Sequence, residues 1–430
     1  MKKLKKLLYG IVALCYSASF SACDLGDVMG DLGLPSNGIF GENTDKDSSD
    51  ISSEISDDSD TSSDGSDTSS GGSDTSSDGS DTSLDSSDTS SDSSDTSSDS
   101  SDTSSDSSGE NPDTPDIVTD ELSIHFPFLG NKTSGDCTLI KVGDTEVLID
   151  AGSTTASPAT TVPYIRQYCE DGILEYVIAT HGDSDHISGF VGGSTATGIF
   201  ASFECGTIID APKTTKKTQV YNNYVSLRNA EVEAGAKHYT ALECWNETNG
   251  AKRSYELGQD VTLNILYQKY YEQSTSTENN YSVCVMITQD ENNYLFTGDL
   301  EESGEKSLVE SNDLPKCTLY KAGHHGSNTA SSKALIDVIQ PELVVACCCC
   351  GDKHNFPHQE FIDNIAPYTD KLYIPVMVDD SVSAGYTLLN GNIVVWSDGK
   401  EVDVACSNNN TLLKDTEWFK ANRETPTSWQ

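Results

Sequence analysis

Residues 180–186, which read Thr-His-Gly-Asp-Ser-Asp-His, constrain the fold of this chain more than any other stretch. They follow residues 173–179, an apolar and β-branched run that predicts a buried strand ending in a polar turn. Imidazole and carboxylate groups held close together on rigid backbone are typical ligands of divalent metals. The stretch therefore predicts a metal site in which one pair of side chains faces one ion and the next pair faces a second. In chain order these pairs are His181 with Asp183, and Asp185 with His186.

Three later stretches supply further ligands of the same kinds. Residues 294–299 are an apolar strand that ends in a carboxylate, and residues 320–325 are another strand that ends in paired histidines. A further histidine follows in the loop at residues 354–358. Each signal is common by itself, but two neighbouring metals need several ligands and one bridging group, and strand ends can supply them together. The candidates are Asp299 as the bridge, His324, His325 and His358.

From residue 122 onward, short apolar stretches alternate with turns and amphipathic stretches, which is typical of a one-domain α/β fold. Strands are predicted at residues 122–128, 137–142 and 146–149, with a helix at about 161–168. Strands and helices then continue in alternation at residues 206–209, 225–234, 261–267, 283–288, 294–297, 301–310, 318–321, 331–338 and 343–346. Four consecutive cysteines, residues 347–350, are predicted to continue the last of these strands as alternating buried thiols.

The N-terminal residues 1–23 resemble an export signal. A lysine-rich start, an apolar segment and a small-residue pair precede Cys23, as in a lipobox. Phe20 departs from the aliphatic residue usual at that position, and an ordinary secretory signal is the alternative. We expect an extracellular, cell-surface lipoprotein that is anchored to the membrane through a lipidated Cys23.

Residues 24–120 are predicted to form a disordered stalk. From residue 60 to 108 the chain repeats Asp-Thr-Ser-Ser-Asp-Gly/Ser-Ser with a period of seven, and only Leu84 in this run is apolar. The repeat lacks the apolar stripe that a coiled coil buries between its helices. The spacing of its aspartates also does not suit a series of calcium sites. A charged chain of this length would hold the following domain about 50 Å or more from the membrane.

Charge limits the class of partner. The formal net charge is −43, and residues 121–430 alone carry 42 acidic and 21 basic residues. Such a balance disfavours tight, sequence-independent binding of nucleic acids, which normally rests on basic surface. Lys213, Lys216 and Lys217, with the nearby Tyr221 and Tyr224, are candidates to contact an anionic, ring-bearing substrate, although a solvated loop is the favoured interpretation.

The region 122–399 resembles the metallo-β-lactamase superfamily, and specifically the soluble hydrolase domain of the competence protein ComEC and its secreted relatives. The stretches that carry the resemblance are residues 148–152, 180–189, 280–283, 296–300 and 324–327. The resemblance implies an αββα sandwich over residues 121–430, with the metals at one edge of the paired sheets. It also implies two divalent ions, zinc or manganese, and a metal-bridging hydroxide as nucleophile.

The sequence departs from the lactamase pattern at two points. Asp183 replaces the second histidine of His-x-His-x-Asp-His, and the histidine expected before Asp299 is missing. Only His238 lies in the interval, in a segment that resembles an exposed insertion. A true β-lactamase is therefore disfavoured.

On this resemblance, His324 or His325 joins the first ion and His358 joins the second. The other member of the histidine pair donates a proton to the leaving group or holds the substrate anion. Asp136 and Asp150 are expected to support ligands or turns rather than bind metal.

The leading hypothesis is an extracellular phosphodiesterase or nuclease. Asp185 is needed for activity, and His325 or a water protonates the departing oxygen. One alternative is an esterase acting on cell-wall phosphocholine or another surface phosphoester, and another is a non-catalytic surface binding protein on the same scaffold. The expected partner is a phosphoester, possibly nucleic acid, and no protein partner is inferred.

Overall fold

The computed structural model describes residues 122–258 and 260–430. The predicted export signal, Cys23 and the predicted stalk lie outside these residues. Within the described part of the chain, none of the helices combines the length and apolar character needed to cross a bilayer.

The described residues form strands and helices whose bounds place each predicted site residue at an element's end. The strands are β1 (Leu122–Phe126), β2 (Cys137–Val142), β3 (Thr145–Ala151), β4 (Ile173–Ala179), β5 (Glu204–Asp210), β6 (Lys237–Thr240), β7 (Ser254–Gly258), β8 (Val261–Leu266), β9 (Cys284–Gln289), β10 (Asn292–Phe296), β11 (Leu319–Lys321), β12 (Leu343–Val345), β13 (Cys349–Cys350), β14 (Leu372–Tyr373), β15 (Val376–Val378), β16 (Tyr386–Leu388), β17 (Ile393–Ser397) and β18 (Val402–Cys406). The helices are α1 (Pro158–Ile165), α2 (Ser184–Val191), α3 (Ile199–Ser202), α4 (Gln219–Glu233), α5 (Ala241–Asn246), α6 (Glu302–Ser311), α7 (Lys333–Ile339), α8 (Gln359–Ile365) and α9 (Glu417–Asn422).

Two large sheets and a small one hold these strands. The first sheet has the order β18-β17-β1-β2-β3-β4-β5-β6, the second has the order β14-β12-β11-β10-β9-β8-β7, and β13, β15 and β16 form the third. Strands β3 to β6 pair in parallel, and so do β10, β11, β12 and β14. Because the carboxyl ends of parallel strands meet at one edge, the loops after β3, β4, β10 and β11 are the natural place for a site.

The apolar core has three parts, which define the layers. The largest cluster of buried residues combines side chains from both large sheets, such as Ile124 and Ile178 from the first and Leu263 and Phe296 from the second. A second cluster joins the outer face of the second sheet to α6, α7, α8 and α9, and a third joins the outer face of the first sheet to α1, α2, α3 and α4. The architecture is an αββα sandwich, as the resemblance implied.

The last three residues of β4, 177–179, are all apolar because they are buried. Val177 packs toward the helices, whereas its neighbour Ile178 packs between the two sheets. A strand buried on both faces lacks the alternating polar positions of a half-exposed strand.

Two sequence predictions are corrected. Strand β12 ends at Val345, and Cys349 and Cys350 form a separate strand paired with β15 in the third sheet, so the cysteine run does not continue β12. All four cysteines are nevertheless buried, as expected. His238 is half-buried rather than exposed, since its segment forms β6 on the edge of the first sheet beside β5.

Candidate metal centre

The turn after β4 is fixed from both sides. Asp150, at the end of β3, accepts hydrogen bonds from the Thr180 amide and hydroxyl, each at 2.8 Å. On the other side the Gly182 amide donates to Glu278 Oε1 at 3.0 Å. A Cβ on Gly182 would lie 2.7 Å from that oxygen, so only glycine fits between the two ligand positions. Helix α2 then begins at Ser184 and carries the last two residues of the motif in its first turn.

The end of β10 approaches the end of β4 closely. Gly298 has φ of 55°, and a Cβ there would lie 2.9 Å from Thr180 Cβ. The next amide, that of Asp299, donates to Ser282 Oγ at 3.1 Å. A glycine before the aspartate therefore lets the carboxylate of the second sheet reach the histidines of the first.

The paired histidines after β11 adopt left-handed backbone conformations, with φ of 45° at His324 and 57° at His325. Non-glycine residues seldom adopt this region, and such strain concentrates at functional sites. The two imidazole rings point in different directions. Their centroids lie 5.9 Å apart, and the angle between their planes is 68°. The pair can therefore serve two positions rather than one.

The carboxylate of Asp299 lies at the centre of the cluster. Its Oδ2 is 3.1 Å from His186 Nε2, 3.4 Å from His325 Nε2 and 3.7 Å from His324 Nε2. Two further pairings flank it. His181 Nε2 lies 3.4 Å from Asp183 Oδ2, and His325 Nε2 lies 3.3 Å from Asp185 Oδ2.

Several polar atoms of this cluster are buried without a hydrogen-bond partner. They are His181 Nε2, His186 Nε2, His325 Nε2 and Asp299 Oδ1. Leaving one such atom unsatisfied costs about 1–3 kcal/mol, so four of them converging in one place fit bound cations. Around Asp299 we distinguish two candidate groups of donors. We call His181, Asp183 and His324 the first ligand set, and Asp185, His186 and His325 the second ligand set.

The remaining ring nitrogens are held by acceptors that fix each imidazole. His186 Nδ1 donates to Asp150 Oδ2 at 2.8 Å, and His325 Nδ1 lies 3.1 Å from the Cys347 carbonyl oxygen. Because a carboxylate or carbonyl can only accept, Nδ1 carries a proton and Nε2 is the nitrogen that faces the cluster. This is the arrangement that orients metal-binding histidines in proteins.

Comparison with known proteins agrees with this geometry. Residues 130–199 and 273–349 match the family described as the metallo-beta-lactamase superfamily. The chain contains a metallo-β-lactamase domain. Recombination protein 2 of Haemophilus influenzae is 24% identical over 238 residues, which cover 54% of this chain and 25% of that protein. ComE operon protein 3 of Bacillus subtilis is 23% identical over 214 residues, which cover 49% of this chain and 24% of that protein.

The chain thus spans about a quarter of the length of these curated relatives. Among solved structures, the metallo-beta-lactamase fold protein YhfI from Bacillus subtilis aligns with a TM-score of 0.36 at 12% identity, covering 60% of this chain and 98% of that chain. The match to the superfamily supports a metal-dependent hydrolase type, and the domain is similar in sequence to competence and recombination proteins.

The charges of the metallo-β-lactamase centre are strongly coupled. Burial would lower the pKa of His186, but Asp299, Asp150 and Asp136 outweigh it and hold that pKa well above its ordinary value. At His325, Asp299 and Asp136 likewise overcome burial and raise the pKa. The carboxylates respond in the opposite sense, since these histidines overcome burial and lower the pKa of Asp299. The metal-free centre therefore favours protonated His186 and His325, and divalent ions would displace those protons.

Asp136 and Lys321 form a buried ion pair beneath the second ligand set. Lys321 Nζ contacts Asp136 Oδ2, and Asp136 Oδ1 lies 3.1 Å from His325 Nδ1. Burial would raise the pKa of Asp136, but Lys321 and then His325 hold it below its ordinary value. Asp136 therefore contacts His325, and it also belongs with His186, Asp299 and His325 to a buried group whose atoms could hold a metal ion.

The structure brings together every predicted site residue except His358. Both ring nitrogens of His358 have backbone partners, because Nδ1 accepts from the Asn328 amide at 2.9 Å and Nε2 donates to the His354 carbonyl at 3.0 Å. His358 directly precedes α8. His324 and His325 both lie near Asp299 Oδ2, at 3.7 and 3.4 Å, so the choice between them that the sequence left open remains a prediction.

Two neighbours of the centre, Glu278 and Lys321, have no sequence motif that marks them. The sequence marks Lys216 only as a candidate substrate contact and favours a solvated loop. The structure instead pairs Lys216 Nζ with Asp183 Oδ1. Only the short distance between segments remote in sequence reveals these roles.

Proposed function

We propose that this protein is a metal-dependent phosphodiesterase, with nucleic acid as the first substrate to test. The observation that carries the proposal is the pair of ligand sets that share Asp299, at 3.1 to 3.7 Å from three imidazole nitrogens. Two divalent ions, which we propose to be zinc or manganese, would neutralise a bridging phosphate and supply an activated water. The sequence similarity to recombination and competence proteins supports nucleic acid as the candidate.

The residues of the chain divide this work. Asp299 holds the position between the two ligand sets, while Asp150 and the Cys347 carbonyl keep His186 and His325 in the correct tautomer. His325 is buried, with one nitrogen facing Asp299 and the other engaged by backbone. It is therefore assigned as a ligand, and water is assigned to protonate the leaving oxygen.

A second candidate is an esterase that removes phosphocholine or another small group from a surface phosphoester. It is favoured by the acidic composition, with 42 acidic against 21 basic residues from 121 to 430. A long polyanion approaching such a surface is repelled, whereas a small zwitterionic substrate is not. A non-catalytic binding protein on this scaffold is disfavoured, because a site without catalysis has no need of both complete ligand sets.

We further propose that the domain acts outside the cell, tethered through a lipidated Cys23 and the acidic residues 24–120. This location rests on the lipobox-like end of residues 1–23 and on the composition of the stalk.

A substrate panel tests the proposal. Full-length protein is chelated and reloaded with zinc or manganese, and is then given bis-p-nitrophenyl phosphate, p-nitrophenyl phosphocholine, single-stranded DNA and nitrocefin. We expect metal-dependent cleavage of the first and third substrates and loss of at least about a thousandfold in Asp185→Ala, a typical cost for a catalytic metal ligand. Preferential turnover of the phosphocholine ester selects the second candidate. Full activity in Asp185→Ala rejects the site assignment.

A further inference from the structure

The segment of residues 211–218, which we call the lysine loop, is held rigidly beside the first ligand set. Glu278 accepts from the Thr214 hydroxyl at 2.7 Å and from the Thr215 amide at 2.5 Å. The same carboxylate accepts from the Gly182 amide in the motif itself. One buried side chain therefore joins the lysine loop to the turn that carries His181 and Asp183.

A second hydrogen bond holds the lysine loop, and a depression lies beside it. Lys213 Nζ donates to the Glu272 carbonyl, which leaves Lys213 occupied by backbone. A depression beside the loop is lined by His181 together with Gly182, Thr214 and Tyr221. The depression therefore lies between His181 of the first ligand set and the lysine loop.

Lys216 occupies the outer face of Asp183. Its Nζ contacts Asp183 Oδ1, while Asp183 Oδ2 is 3.4 Å from His181 Nε2 on the metal side. The Lys216 side chain is 28% exposed, so its ammonium borders solvent at the mouth of the site. A cation that binds between His181 and Asp183 neutralises this carboxylate and leaves the charge of Lys216 uncompensated.

We infer that Lys216 binds a second anionic group of the substrate, next to the phosphate that is cleaved. Lys216 lies next to the centre of a domain that carries 42 acidic and only 21 basic residues between 121 and 430. A lysine is a point charge that suits a phosphate oxygen without demanding a fixed geometry. The substrate is then a chain in which phosphodiesters repeat, rather than an isolated diester. This inference rests on the proposed phosphodiesterase function.

A matched pair of ligands isolates the second phosphate. Thymidine 3′,5′-bisphosphate and thymidine 5′-monophosphate differ by one phosphate, and their binding to zinc-loaded full-length protein is measured by calorimetry. We expect the bisphosphate to bind the wild type about five- to tenfold more tightly, the amount expected for a partly exposed charged hydrogen bond. Lys216→Ala removes that preference, while Lys216→Arg retains it. The control is Lys217→Ala, since Lys217 is exposed and its side chain makes no hydrogen bond or ion pair among the described residues.

Kinetics provide the second measurement. The p-nitrophenyl ester of thymidine 5′-phosphate is compared with the same ester bearing a 3′-phosphate. Lys216→Ala is expected to raise KM about five- to tenfold for the second ester alone. It should leave kcat unchanged, because Lys216 would bind the 3′-phosphate equally well in the ground state and in the transition state.

Two results overturn the inference. One is a Lys216→Ala protein that keeps its preference for the bisphosphate. The other is a Lys216→Ala protein that loses bound zinc, which would show that Lys216 only holds Asp183 in place. If the wild type cleaves neither ester, the proposed function fails, while calorimetry still decides the role of Lys216.

Discussion

The two ligand sets of this centre differ in how their imidazoles are supported. In the second set, His186 is held by the Asp150 carboxylate at 2.8 Å and His325 by a backbone carbonyl at 3.1 Å. In the first set the supports are hydroxyls, with Thr180 at 3.1 Å from His181 Nδ1 and Thr329 at 2.8 Å from His324 Nδ1. A carboxylate raises the basicity of a histidine ligand more than a neutral hydroxyl does.

The charged neighbours of the two sets also differ, and those of the second set are the more deeply buried. The buried Asp136–Lys321 pair lies under the second set, whereas the first set meets the partly exposed Lys216. His324 has 23% of its side chain exposed, against 1% for His325. We therefore expect the second set to hold its ion more tightly and the first set to face the substrate.

The largest effect is expected where the two sets meet. Asp299→Ala removes the shared carboxylate, so both ions weaken and phosphodiesterase activity falls by at least about a thousandfold, as for loss of a bridging ligand. Bound metal per chain is measured by elemental analysis after dialysis. Asp313→Ala, an exposed aspartate change, is the control. Retention of two ions in Asp299→Ala would remove Asp299 from its bridging role.

A smaller effect is expected at the residues that hydrogen-bond to the candidate metal ligands. Asp150→Asn withdraws the carboxylate from His186, and metal affinity at the second set is expected to fall about 10–100-fold, the usual cost of losing such a partner. Thr329→Val, which removes the hydroxyl beside His324, is the matched change in the first set and should cost less. Competition with a metal-sensitive dye measures both. Equal losses would mean that the two sets do not differ in support.

The pH dependence of stability tests the coupled charges. In the metal-free protein the pKa values of His186 and His325 are raised, so their contribution to the free energy of unfolding is complete below about pH 6.5. That contribution is lost as the pH rises through the raised values. Urea unfolding of chelated protein should therefore show a lower midpoint at pH 9 than at pH 6. Bound zinc should weaken or reverse this trend, since the ion replaces the protons. A chelated protein that is more stable at pH 9 contradicts the assignment.

The smallest effect is expected at His358. Because its ring bonds only to the Asn328 amide and the His354 carbonyl, His358→Ala should leave the metal content unchanged and reduce stability by about 0.5–1.5 kcal/mol. Thermal unfolding and elemental analysis together measure this. Loss of one ion per chain in His358→Ala would restore the original sequence prediction and displace His325 from the second set.

Local sequence patterns predicted the parts of the centre that follow buried strands. The motif after β4, Asp299 after β10 and the histidine pair after β11 all follow apolar runs, which place them at one edge of the sandwich. His358 follows a loop, and nothing local distinguishes it from a ligand until its backbone partners are known.

The division of labour within the histidine pair was beyond sequence reasoning for a different reason. It depends on the left-handed backbone at both residues, which no side-chain pattern encodes. The bracing of Gly182 by Glu278 joins segments 96 residues apart, and such a contact becomes visible only once the two sheets are packed.

The most direct measurement of the central claim is anomalous diffraction at the zinc edge from crystals of the zinc-loaded protein. We predict two anomalous peaks, both in contact with Asp299. One peak lies among His181, Asp183 and His324, and the other lies among Asp185, His186 and His325. A single peak, or a peak that contacts His358 in place of His325, would contradict it.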